Sequence, residues 1–170
     1  MIRPLLALLG SIAATSALAQ SPAPPDECAP ITGTYLNAKV DLTGKDPGIE
    51  GRTVLSLAAG GTAMMTDSAQ GGVAGYQPFG TLLGPWSCTG AADGKLGLRA
   101  TLVDFSYPTA TDPQAKTARI EIDATVTPET GAIEGETVVY LFALLDDPFA
   151  DAAAKPLVSY TFKGQKVPAP

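Results

Sequence analysis

The chain of 170 residues contains no histidine, and this absence excludes more chemistry than any residue present suggests. No Ser-His-Asp triad, Cys-His pair or His-ligated zinc or copper site can be assembled from it. Proton transfer would fall to carboxylates, tyrosines or lysines with displaced pKa values. Basic residues are also few: 11 Lys and Arg stand against 17 Asp and Glu, for a net charge of −6. They cluster nowhere, so the phosphate-neutralising surface that nucleic acid requires is missing. Anionic membrane surfaces are disfavoured on the same ground. No apolar run reaches the length of a membrane span, so no membrane insertion is expected. The glycines between Ser68 and Gly80 lack the spacing and the following lysine of a phosphate-binding loop.

Cysteine is scarce too, with 2 in the chain, and the N-terminus supplies the context for reading them. Arg3 is followed by an apolar stretch over residues 5–14 and by Ala17-Leu18-Ala19, the layout of a secretory signal peptide cleaved between Ala19 and Gln20. The expected location is therefore the periplasm or the extracellular space. Pro25-Asp26-Glu27 before Cys28 is not a lipobox, so no lipid anchor is expected. In an oxidising compartment Cys28 and Cys88 are expected to pair as a staple. Closing that loop restricts the unfolded chain by about 4 kcal/mol. Neither cysteine has the C-x-x-C context of a redox site. The expected organisation is a signal peptide over 1–19, an extended proline-rich leader over 20–32, one domain over 33–167 and a tail over 168–170.

From Gly33 onward, short runs of period two alternate with Gly, Pro, Asp and Asn, an all-β pattern. Eight strands are expected, over 33–42, 52–58, 62–67, 81–89, 95–107, 117–127, 133–145 and 157–167. In the first, Leu36, Ala38, Val40 and Leu42 form the apolar face, opposite Asn37, Lys39 and Asp41. Ala92-Asp93-Gly94 signals a hairpin. Asp147, Pro148 and the alanines that follow predict one short helix, ended by Lys155 and Pro156 before the last strand. Short connections and single apolar faces favour an eight-stranded antiparallel up-and-down barrel, with a β-sandwich as the alternative.

Gly33-Thr34-Tyr35 at the first strand's start resembles the G-x-W motif of the calycin and lipocalin-like barrels. That resemblance implies an aromatic closing one barrel end against a basic residue of the last strand, a role for which Lys163 is placed by sequence. Strict alternation puts Tyr35 on the polar face, so a bulge is expected to turn it inward.

Asp104 is the one candidate for catalysis. It continues the Leu98, Ala100, Leu102 face, which would aim a carboxyl into the barrel and raise its pKa. Alternatively the long strand twists or bulges after Val103, leaving Asp104 in water near the rim, and strand length favours this second placement. Leu82, Trp86, Leu102 and Ile122 share inward faces and would line a ligand site with Asp104 as its polar anchor, although a lone Trp beside a disulfide reads first as core. Of Met64 and Met65, only one can face inward. Tyr76 and Phe79 lie in the glycine-rich loop over 68–80, which is either a lid over the barrel mouth or a plain connector. Asp146, Asp147 and Asp151 are too few oxygens for calcium and read as capping groups. Glu134 and Glu136 lie on one strand face and read as a solvated pair, since glycosidase carboxylates flank a cleft from different elements.

Taken together, these features predict an exported small barrel that binds a small, largely apolar molecule, without cofactor or metal. One alternative is a cofactor-free isomerase or cyclase using Asp104. The other is a periplasmic protein-binding or inhibitor module working through its leader or loops, with a protein as partner.

Overall fold

The computed structural model of the chain describes residues 26–41, 50–72, 76–150 and 154–170. The expected signal peptide, its cleavage site, the first part of the leader, Leu42 and Asp151 lie outside the described residues. Eight strands follow in chain order. They are β1 (Gly33–Asp41), β2 (Arg52–Leu57), β3 (Thr62–Asp67), β4 (Leu82–Ala92), β5 (Lys95–Phe105), β6 (Lys116–Thr127), β7 (Ala132–Ala143) and β8 (Val158–Lys166). Each pairs antiparallel with its neighbour in sequence, and β1 also pairs with β8, which closes the up-and-down barrel and removes both sheet edges.

The two barrel ends differ in their connections. One end has the short turns over 58–61, 93–94 and 128–131, and the other has the long ones over 42–51, 68–81, 106–115 and 144–157. The Asp93-Gly94 hairpin takes φ of 54° and 74°, the left-handed pair that a type I′ turn needs.

The short-turn end is closed and packed. Residues Asp26–Ile31 form a 3-10 helix, where an extended leader was expected. Side chains three apart eclipse in that helix, so Cys28 and Ile31 share one face, and both are fully buried in the core. Cys28 is bonded to Cys88 on β4. The buried Tyr35 hydroxyl donates to the Ile31 carbonyl at 2.7 Å, which ties the plug to β1. Around them pack Leu55, Leu57, Ala63, Trp86, Leu98, Val126, Ile133 and Phe162.

β1 corrects the sequence expectation in full. Tyr35 and Asn37 are buried and Lys39 faces inward beside Asp67, while Leu36 and Val40 are 39% and 50% exposed. No bulge is involved, since the register with β2 runs unbroken from Gly33 to Ala38. Partners on other strands decide the orientation. Asn37 Nδ2 donates to Thr53 Oγ1 at 3.2 Å, and Lys39 meets Asp67. Lys163 is likewise corrected. It is exposed on the outer face opposite Ala38 and Glu134, whereas Lys166 stands opposite Tyr35 and donates to the Pro30 carbonyl at 2.9 Å.

The short helix expected from Asp147 is absent from its described residues. Asp147 Oδ1 accepts the Phe149 N–H at 2.8 Å and its carbonyl accepts that of Ala150 at 3.2 Å, which makes a turn. Residues 154–156 are not helical. On the outer face of β5–β8, Arg99, Asp123, Glu134, Glu136 and Lys163 are exposed. Charged side chains thus stand where a membrane barrel carries its apolar band.

Candidate functional site

The barrel interior divides along its length. Below lies the packed core; toward the long-loop end opens a cavity of about 450 Å³, a size typical of small-molecule sites. Its apolar wall comes from inward residues of β4, β6 and β7, among them Leu82, Ala118, Ile120, Val139 and Leu141. The opposite wall, from β1, β3 and β8, is polar. There Lys39 Nζ lies 2.5 Å from Asp67 Oδ2, with the two side chains only 5% and 7% exposed. The ring of Tyr160 sits 5.0 Å from the same ammonium. Burial raises the Tyr160 phenol above its ordinary range and the Asp67 charge raises it further, while a hydrogen bond with Thr137 opposes both. At the rim, Lys116 donates to Asp112 at 2.5 Å, and this bond holds the Asp112 carboxyl below its ordinary range.

Asp104 enters from the end of β5. The burial pattern of that strand alternates without interruption, so Asp104 is 6% exposed while Phe105, at 53%, points outward. The expected twist after Val103, which would have put the carboxyl in water, does not occur. Continuous pairing of β5 with β6 holds the register, with Asp104 opposite Ala118 and Phe105 opposite Thr117. Desolvation raises the Asp104 pKa; the backbone N–H groups of Phe105 and Gly80 pull it the other way.

The loop beside it is stitched down along residues 76–80. Ser106 Oγ donates to Gln77 Oε1 at 2.7 Å, and Gln77 Nε2 donates to the carbonyls of Asp112 and Gln114 at 2.8 and 3.0 Å. The Tyr107 N–H reaches the Pro78 carbonyl at 2.7 Å. Tyr76 and Phe79, both half-buried, thereby become part of the cavity wall.

Of the residues singled out by sequence, Leu82, Asp104, Tyr76 and Phe79 meet around this cavity. Trp86, Leu102 and Ile122 face inward but lie within the core, each under 5% exposed. Trp86 Nε1 donates to the Ala58 carbonyl at 2.8 Å, near the closed end. Met65 also faces the cavity, and Met64 faces outward.

Sequence reasoning missed Lys39, Asp67 and Tyr160. A signal for the first was present: a Tyr35 turned inward without a bulge carries Asn37 and Lys39 inward with it by the period of two. Met65 does the same for Asp67. Outside the site, Glu134 and Glu136 are exposed, and Glu134 pairs with Lys95 at 3.0 Å. Compared with known protein families, curated proteins and solved structures, the chain matches none.

Proposed function

We propose that this protein is an exported binding barrel whose open-end cavity takes a small, largely apolar molecule. The observation that carries the proposal is the cavity itself. A packed, plugged half of the barrel adjoins a half that holds about 450 Å³ of space, walled by aliphatic and aromatic side chains with a few convergent polar groups. Export is supported by the sequence of residues 1–19 and by the Cys28–Cys88 bond, which suits an oxidising compartment. The same barrel supports the lipocalin-like resemblance carried by Gly33-Thr34-Tyr35.

Native mass spectrometry of the exported protein, purified without detergent, tests this reading. A reproducible small-molecule adduct is expected, displaceable by other apolar compounds. A bare mass that stays bare after incubation with a panel of apolar molecules refutes it.

A second reading is favoured by Asp104. A desolvated carboxyl with a raised pKa inside a cavity has the form of a general acid, so a cofactor-free isomerase or cyclase would place its chemistry there. Conversion of a bound compound that stops in D104N, with binding retained, distinguishes catalysis from binding alone.

A further inference from the structure

Resting on the reading of the cavity as a binding site, we infer that its ligand carries a protonated amine, paired with the Asp104 carboxylate, on an apolar body. Among the described residues, five charged side chains line the space: Lys39, Asp67, Asp104, Asp112 and Lys116. Four of them cancel in pairs, Lys39 with Asp67 and Lys116 with Asp112, each at 2.5 Å. Asp104 is the fifth. Among the described residues no cation and no side-chain hydrogen bond engages it, although it is 94% buried by its 6% exposure.

The groups nearest Asp104 do not replace the missing charge. Gly80 lies against it, close enough that an added Cβ would sit 2.8 Å from Asp104 Oδ1 and 3.1 Å from the Tyr107 hydroxyl. Its register partner across β6 is Ala118. A carboxylate offers about four acceptor positions, and the two nearby backbone N–H groups cannot occupy them all. A buried carboxylate without a counter-charge is costly to keep ionised, so a ligand that brings the cation gains what the protein lacks.

Other head groups gain less. A ligand carboxylate meets repulsion from Asp104, and Lys39 and Lys116 are already committed to Asp67 and Asp112. A neutral head leaves Asp104 uncompensated. The aliphatic wall of Ile120, Val139 and Leu141 takes the body of any of these ligands, so the head group sets the preference.

Isothermal titration of the disulfide-bonded protein with octylammonium, octanol and octanoate, each below its aggregation threshold, tests this. Octylammonium is expected to bind about tenfold tighter than octanol, the scale of one charge-assisted hydrogen bond, and octanoate weakest. In D104N the advantage of octylammonium over octanol is expected to fall to within about twofold. Equal binding of octylammonium and octanol by the wild-type protein overturns the amine assignment while leaving the apolar site standing. Binding of none of the three overturns the cavity reading itself. The wild-type comparison decides the question even if D104N does not fold.

Discussion

Replacing Asp67 with asparagine should be among the most damaging single polar changes in this chain. The Lys39–Asp67 pair is closed to solvent, with side chains 5% and 7% exposed and charged atoms 2.5 Å apart. D67N leaves the ammonium over the Tyr160 ring with no counter-charge. Breaking a buried pair from one side costs about 3–5 kcal/mol. The adjoining cavity gives water some access, which places the expectation at the lower end, about 3 kcal/mol. Replacing both partners, as K39M with D67L, removes both desolvation costs together and should come within about 1 kcal/mol of wild type or exceed it. Urea unfolding followed by far-UV circular dichroism, with a common m-value, gives the three differences. A spectroscopic readout accompanies them: without the Asp67 charge, Tyr160 should ionise at lower pH than in the wild type. A D67N cost below about 1 kcal/mol, the range of exposed pairs, would refute the reasoning. It would mean that the pair is solvated and that β1 does not turn Asn37 and Lys39 inward.

Four further outcomes are expected. Desolvation raises the Asp104 pKa in the fold, so the folded state holds that proton longer than the unfolded chain. Stability is thus lost as pH rises from the ordinary carboxylate value through the raised one. D104N should remove that loss and match or exceed wild type at pH 7; a D104N protein that is destabilised only above the acid range reverses the sign and sinks the placement. Asp112 and Glu134 shift the other way through Lys116 and Lys95, but both shifts are common to both proteins, so the difference curve isolates Asp104. Burial pushes the Tyr35 phenol up to about 12 from 10.0 and raises that of Tyr160 as well; in an absorbance titration at 295 nm, Y35F should remove a phenol that ionises well above pH 10. Stability should then fall as pH rises from 10 toward 12, where the unfolded chain alone ionises these phenols. Y35F, which orphans the Ile31 carbonyl, should cost about 1–2 kcal/mol by denaturant unfolding. Removing the disulfide as C28S/C88S should cost about 4 kcal/mol from the closed loop, and a loss under 1 kcal/mol would show that the plug docks without its staple.

Much of the architecture was legible because it is written locally. The strict alternation over β5 and β6 fixed two strands, their inner faces and, through the single oxidised pair, the staple. The Asp93-Gly94 turn was legible from two residues. What stayed hidden depends on contacts between distant strands. The inward face of β1 cannot be read from hydrophobicity, because Lys39 and Asn37 become tolerable inside only when Asp67 and Thr53 arrive from β3 and β2. Alternation also says which way a side chain points, not how high along the barrel it stands. Height follows from strand tilt and stagger, which is why Leu102 and Ile122 fell to the core while Leu82 and Asp104 reached the cavity. The 3-10 plug was masked by its prolines, although the i, i+3 spacing of Cys28 and Ile31 was available.

The distribution of costly groups along the barrel argues for a binding function more strongly than any one residue does. At the closed end, stabilising devices accumulate: the disulfide, the plug bound through Tyr35, the short turns and a core of Leu, Ile, Val and Trp. At the open end, destabilising ones accumulate: empty volume, a buried ion pair and a carboxyl with no counter-charge among the described residues. Leucine at positions 39, 67 and 104 would fill part of that space and remove three desolvation costs. Selection for folding alone has no use for the residues found there. A barrel whose local choices favour stability at one end and work against it at the other is what the proposed binding site at the second end requires, with the stapled half supplying the stability that such a site would consume.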